Sequence, residues 1–444
     1  MRGLQRAVRR GAAACRRHGR GLCLAATFSA LAGCAITYMD AMQQVDQDLA
    51  AQQPQAALKS LEKISGGKDQ VLYLLNKAMV LRMAGDYPGS AQAFEQAKPL
   101  MTYLEATSVT ETAAALTFSE NLRAYEAPLY ERLLAHVFQG MNYLEMGQPD
   151  GARVEALQID DLLKRLYPGT DAAPYGGDAF PRYFAGLVYE DLGEYSDAMI
   201  SYRKAYQAYK ASGYADAAIP ADLKLNLCRF ADYLGLNDER DKYKAAFGLT
   251  AWPPVTTPDP QGQLLFIFND GLAPKKTAVS QILPNPVNGH YYSVSLPVLT
   301  RRQPMISDAV ITVAGSMVRT EQVASVAADA SQQLAAERPG LLAAEFSRNV
   351  VREVAAEKMD RNSPGLGSLT SLLASAADQA DVRLWETLPD NIQIARLRLA
   401  PGTYDVAVQL QGAYGQPGVQ RFLKGITIRP GQITFASLQW ASFH

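Results

Sequence analysis

The sequence predicts an α+β multidomain chain, an N-terminal helical-repeat solenoid followed by a β-sandwich-like domain with a helical insertion. Three observations predict it. Residues 34–248 hold recurring helix–turn–helix patterns of small and aromatic residues. At Trp252 the composition turns to WPPVTTPDPQG, whose prolines block helix and central strand alike. Beyond it, apolar and alternating runs are closed by Pro-Gly corners. With 444 residues, 48% hydrophobic and 20% charged, the chain can bury two or three cores and does not have a disordered composition.

Residues 1–20 carry Arg2, Arg6, Arg9, Arg10, Arg16, Arg17 and Arg20 with no acid, and residues 21–33, GLCLAATFSALAG, are apolar but too short to span a bilayer. The run ends Leu31-Ala32-Gly33-Cys34. This resembles the bacterial lipoprotein signal, so residues 1–33 are expected to be a signal peptide. The resemblance implies that Cys34 receives diacylglycerol, becomes the first residue after cleavage and is N-acylated. Two or three acyl chains anchor firmly where one would be marginal. Ala35, rather than Asp, follows the cysteine, and by the bacterial sorting rule this directs the protein to the outer membrane, facing the periplasm. A mitochondrial transit peptide would not call for an apolar run ending in this box. Arg9-Arg10 raises a twin-arginine route, but the residues after the pair do not fit it.

Without the leader, 36 basic residues face 44 acidic ones. A mildly acidic protein lacks the clustered Lys and Arg that neutralise phosphates, so nucleic acid is not an expected partner. Cys228, among Leu225, Leu227 and Phe230, is expected to be a buried free thiol. The cysteines show no zinc spacing, and no metal or cofactor is expected.

The clearest repeat lies between Arg182 and Ala205. Gly186, Ala198 and Ala205 let two helices approach, while Tyr189, Tyr195 and Tyr202 fill the space around them. Gly193 suits the left-handed end of the first helix. Gln139-Gly140, Tyr143, Gly147, Ala152 and Ala156 repeat the scheme, as do Ala78, Leu81, Gly85, Tyr87, Ser90, Phe94 and Ala97. The pattern resembles the tetratricopeptide repeat (TPR), at irregular spacing. Ala57, Leu61 and Ile64 read as the second helix of an earlier unit. Residues 69–99, 136–166 and 182–210 are expected repeats, with an extra helical stretch at 102–135, a Pro- and Gly-rich connection at 167–181 and a closing pair at 220–248. The solenoid is thus placed at 34–248, the linker at 249–262 and the β-rich domain at 263–444.

Within that last domain, strands are expected at Leu264–Phe268, Tyr291–Leu296, Ala309–Val313, Ile392–Leu399, Tyr404–Leu410, Val419–Ile428 and Ile433–Leu438. Pro-Gly turns between paired strands suggest a small antiparallel sandwich. An Ala-rich helical insertion occupies about 322–380. Its stripe of Phe346, Val350 and Val354 must be covered somewhere, and burial within the β-rich domain is expected.

Residues 125–155 hold the densest set of reactive side chains: Tyr125-Glu126, Tyr130-Glu131-Arg132, His136, Asn142-Tyr143-Leu144 and Ala152-Arg153-Val154-Glu155. Together with Gly271-Leu272-Ala273-Pro274, Trp385-Glu386-Thr387-Leu388-Pro389 and Ala395-Arg396-Leu397, they resemble a family of uncharacterised bacterial envelope lipoproteins with TPR-like repeats. The resemblance implies envelope partners, among them lipoproteins associated with peptidoglycan synthesis. His136 with Glu131 or Glu155 could form an acid–base set acting on cell-wall material. The alternative, a Glu-Arg-Tyr-Asn network that fixes helix register or lines a groove, is preferred. No nucleophile elbow, phosphate loop or HExxH motif occurs, and neither His290 nor His444 has metal-ligand spacing. The expected function is therefore a non-enzymatic, lipid-anchored protein–protein interaction scaffold. Its candidate groove residues are Tyr130, Glu131, His136, Asn142, Tyr143, Arg153, Glu155 and Tyr183.

Overall fold

The computed structural model describes residues 33–64, 67–108, 124–169, 177–284, 291–362 and 380–443. The leader, the Cys34 side chain, His290, His444 and parts of the 102–135, 167–181 and 322–380 stretches lie outside the described residues.

The chain is a mixed α+β protein. Its helical half comprises α1 (Gly33–Ala50), α2 (Pro54–Leu61), α3 (Gln70–Met83), α4 (Tyr87–Ser108), α5 (Leu129–Glu145), α6 (Pro149–Leu166), α7 (Ala179–Asp191), α8 (Tyr195–Ala211), α9 (Ala221–Tyr233) and α10 (Asn237–Phe247). Consecutive helices pack as hairpins, α1 on α2 through to α9 on α10. The same local device closes four of the turns. A glycine at φ between 68° and 78° (Gly85, Gly147, Gly193 and Gly235) follows the first helix. The next N–H then reaches back five residues, as from Asp86 to the Leu81 carbonyl and from Glu194 to that of Tyr189. Gln52, at φ 57°, takes this place in the first hairpin. The third hairpin's first helix starts at Leu129, not near residue 136, so the Leu129-Leu133-Leu134 run belongs to that hairpin rather than to an extra helix.

The β half contains β1 (Gly262–Asp270), β2 (Lys275–Pro284), β3 (Tyr291–Thr300), β4 (Ile306–Val313), β5 (Ser316–Arg319), β6 (Glu321–Ser325), helix α11 (Val326–Asn362), β7 (Asn391–Leu399), β8 (Gly402–Gly412), β9 (Val419–Ile428) and β10 (Ile433–Trp440). The strands form one sheet of order β10-β1-β7-β6, a second of order β5-β4-β8-β9, and a separate β2-β3 ribbon. All the expected strands are present, but β1 and β10 pair parallel, so the arrangement is not wholly antiparallel. β2, β5 and β6 were not expected, and β6 occupies the start of what reads as the helical insertion.

The two sheets bury Leu264, Phe266, Phe268, Ile311, Leu397 and Val408 between them. The alternate residues of β1, Leu265 and Ile267, belong instead to the core of the helical half, with Ile392, Ile394, Val323 and Phe435. The period of two in β1 therefore serves two cores at once. The first helices of the three middle hairpins, α3, α5 and α7, are correspondingly buried almost all round, as a helix enclosed on both sides must be: in α7 every residue from Ala179 to Glu190 is buried.

Helix α11 departs from expectation. Val354 is 48% exposed and Phe346 and Val350 are only half-buried, whereas Glu345, Arg348 and Asn349 are buried. Glu345 and Arg348 satisfy each other as an i,i+3 ion pair, and the Asn349 amide donates to the Ser293 carbonyl on β3. Pairing offsets part of the desolvation cost of the two charges, and the buried side of the helix is theirs rather than that of the apolar stripe.

Candidate functional site

Helix α5 organises the candidate site because it carries two polar faces. Glu131, Phe138 and Asn142, spaced by seven and four, point toward the β half. Arg132, His136 and Tyr143, spaced by four and seven, point away from it.

On the inner face, Glu131 is fully buried and accepts from the Tyr125 hydroxyl (2.6 Å), the Tyr130 hydroxyl (3.1 Å) and the Trp385 backbone N–H (3.1 Å). Burial raises its pKa to about 7, restrained by those donors. The Trp385 ring is fully buried, edge-on to Phe94 and Phe138 at 5.9 and 6.4 Å between centroids. Two residues on, Thr387 donates its hydroxyl to the Asn76 side chain (2.9 Å). Asn142 accepts from Arg82 (2.6 Å), which also donates to Ser437 on β10 (2.6 Å). The Tyr183 hydroxyl bonds Asp222, and Asp222 pairs with Arg396 of β7 (3.0 Å). Arg396 also binds Glu190 (2.7 Å), which Arg229 joins at 3.2 Å. Burial pushes Glu190 upward, but the two guanidiniums outweigh it and bring its pKa down to about 2. Tyr130, Glu131, Asn142 and Tyr183 are thus occupied within the chain. The groove expected for a partner is filled by the β half and by the Arg383–Leu388 segment.

The outer face is different. Between α4 and α6, with α5 as its floor, lies an open cleft of about 530 Å³. Nδ1 of His136 is 2.6 Å from Oε2 of Glu155, and Lys98 bonds Oε1 of the same carboxylate at 2.7 Å. An ionised carboxylate can only accept, so Nδ1 is the donor of this bond. Lys98 also bonds Glu95 (2.7 Å), which accepts from Gln139 and Tyr143. Burial alone would lower the Lys98 pKa, but Glu155 and Glu95 outweigh it and raise it. At the other end Arg132 (2.5 Å) and Arg165 (2.8 Å) share Glu105. Burial opposes ionisation of Glu105, and the two guanidiniums overcome it, holding its carboxyl below the ordinary range. Val154, 52% exposed, supplies an apolar wall.

Of the residues singled out from sequence, His136, Tyr143 and Glu155 come together in this cleft. Arg153 points elsewhere, to Glu194 (2.8 Å). Glu131 lies on the opposite side of α5, so the proposed set of His136 with both carboxylates is reduced to His136 with Glu155. Lys98, Glu95, Glu105 and Arg165 were missed. The one legible signal was the spacing of Arg132, His136 and Tyr143 on a single helical face. Among the described residues no carboxylate, histidine and cysteine group has a metal-binding arrangement. Cys228 is buried as expected, and burial pushes its thiol up to about 11. No protein-family model matches the chain, and no curated protein matches it.

Proposed function

We propose that this is a lipid-anchored bacterial envelope protein acting as an interaction scaffold, held at the outer membrane through acylated Cys34. In this reading a TPR-like solenoid wraps its own β-sandwich-like half on the concave side. The solenoid then engages partners through the convex cleft of α4, α5 and α6. The observation that carries it is the division of α5: the inner polar face is consumed by Trp385 and its neighbours, and the outer one stays open. Partners would be envelope proteins, including lipoproteins of peptidoglycan synthesis. A photo-crosslinking residue at Val154 should capture a defined envelope protein, and Lys98→Ala should abolish that product. Capture unaffected by Lys98→Ala, or no capture, would refute the cleft as the binding face. Labelled palmitate should be incorporated by the wild type and lost in Cys34→Ala; continued labelling would overturn the anchor.

One observation favours a second reading, a hydrolase of cell-wall material. The imidazole of His136, oriented through Nδ1 by Glu155 in an open cleft, can in its neutral form act through Nε2 as a general base on water. That reading requires His136→Ala to abolish cell-wall hydrolysis while Glu131→Gln does not.

A further inference from the structure

The cleft between α4 and α6 has unused hydrogen-bonding capacity at both of its ends. Arg132 is only 9% exposed, yet a single guanidinium nitrogen, Nη2, has an acceptor, Oε2 of Glu105. Its Nε and Nη1 have none among the described residues. Other buried arginines differ: Arg302 and Arg383 each place Nε, Nη1 and Nη2 on oxygens. Idle N–H groups on a buried guanidinium cost free energy unless water or a ligand takes them, and Arg132 lines the cleft, where either can reach it. Arg165, half-exposed on α6, bonds the same Glu105 oxygen through one nitrogen. At the other end Glu95 receives Lys98, Gln139 and Tyr143 all on Oε1. Its Oε2 is left without a donor among the described residues.

Charge divides along the cleft in the same sense. Arg132, Arg165 and Glu105 leave one net positive charge at one end. Lys98, Glu95 and Glu155 leave one net negative charge at the other, and exposed Asp161, one turn before Arg165, adds to the acidic side. We propose that the cleft holds an amphoteric peptide segment, its carboxylate on Arg132 and Arg165 and its amine on Oε2 of Glu95. This rests on the cleft being the partner-binding face. One carboxylate neutralises the arginine end, whereas a phosphate dianion would leave excess negative charge beside Asp161. Arg132 and Gln139, which holds Glu95, are seven residues apart on α5, a rise of about 10 Å. That distance corresponds to about three residues of extended chain between amine and carboxylate. Pro99, Met101, Val154 and Leu162 also line the cleft, so apolar side chains suit the intervening positions.

Fluorescein-labelled, C-terminally amidated peptides Lys-Xaa-Xaa-Xaa-Glu, with mixed Ala, Val and Leu at Xaa, test this by anisotropy against the detergent-solubilised full chain. Replacing Glu by Gln, or Lys by acetyl-lysine, should each weaken binding about tenfold or more. Lys-Xaa-Xaa-Xaa with a free C-terminus separates a terminal carboxylate from a side-chain one: binding of either form supports the assignment, and the tighter one names the source. Arg165→Gln, at a half-exposed position, should bring the Glu peptide down to the affinity of the Gln peptide. Glu105→Gln should tighten it, because the internal competitor for both guanidiniums is removed. Equal affinity of the Glu and Gln peptides, tighter binding of a phosphoserine counterpart, or indifference to Arg165→Gln would each overturn it. If Val154 still captures an envelope protein while none of these peptides binds, the peptide chemistry falls and the binding face stands; loss of both removes the face as well.

Discussion

The backbone N–H of Trp385 donates to Oε1 of Glu131 at 3.1 Å, joining residues 254 positions apart and fastening the β half to the middle of the helical half. Around that bond the indole sits in an aromatic slot between α4 and α5.

Trp385→Ala should cost about 3–5 kcal/mol, the range for deleting a large buried aromatic side chain. Urea unfolding followed by circular dichroism should keep a single transition for both halves, at lower midpoint. Two separated transitions in the wild type would show that the halves do not share one core.

Acidity should stabilise the protein. Burial raises Glu131, Glu386 and Asp329 to about 7 and Asp270 to about 8. Unfolded carboxylates titrate near about 4. Between those limits the native chain binds more protons than the unfolded one, so stability falls as pH rises through that window. Glu190, with its pKa lowered to about 2, works oppositely, and its contribution is lost only as pH falls from the ordinary carboxylate range toward that value. Melting temperatures measured from about pH 5 to about pH 8 should therefore decline. Glu131→Gln should make the decline shallower; an unchanged slope would remove Glu131 from the account.

Arg396→Met should destabilise by about 3–5 kcal/mol, because it leaves Glu190 and Asp222 without their shared cation. Adding Glu190→Gln and Asp222→Asn should recover part of the loss in equilibrium unfolding. If the triple variant is no more stable than Arg396→Met, stranded charge is not the cause.

A Cβ on Gly186 would lie 2.5 Å from the Tyr202 ring. Gly186→Ala should therefore destabilise by about 1–3 kcal/mol through overpacking, against the gain a helix ordinarily makes from alanine. Combining it with Tyr202→Phe should leave the clash in place, since the ring carbons are the atoms met; relief by that change would point to the hydroxyl instead.

Gly186 with Tyr202 and the turn glycines were legible because each contact closes within one hairpin, where spacing fixes geometry. The strands were legible for the same local reason. Arg396 meeting Glu190 was not, since the partners lie 206 residues apart and neither segment encodes the other's position. The tyrosines show the intermediate case. Tyr202 reads as a packing residue and Tyr183 as a groove residue; both are fully buried, yet their hydroxyl partners, Glu190 and Asp222, come from other elements. In α11 the apolar stripe misled because Glu345 and Arg348 neutralise each other within the helix and take the inward side.

The double duty of β1 bears on descent as well as on structure. A substitution at Phe266 is judged by the second sheet, and one at its neighbour Leu265 by the helices. Recombination that brought in either half from a distant homologue would have to match both sets of neighbours at once. The proline-rich stretch after Trp252 looks like a place where genes could be spliced, but exchanging one half alone there would leave mismatched neighbours on one side of β1.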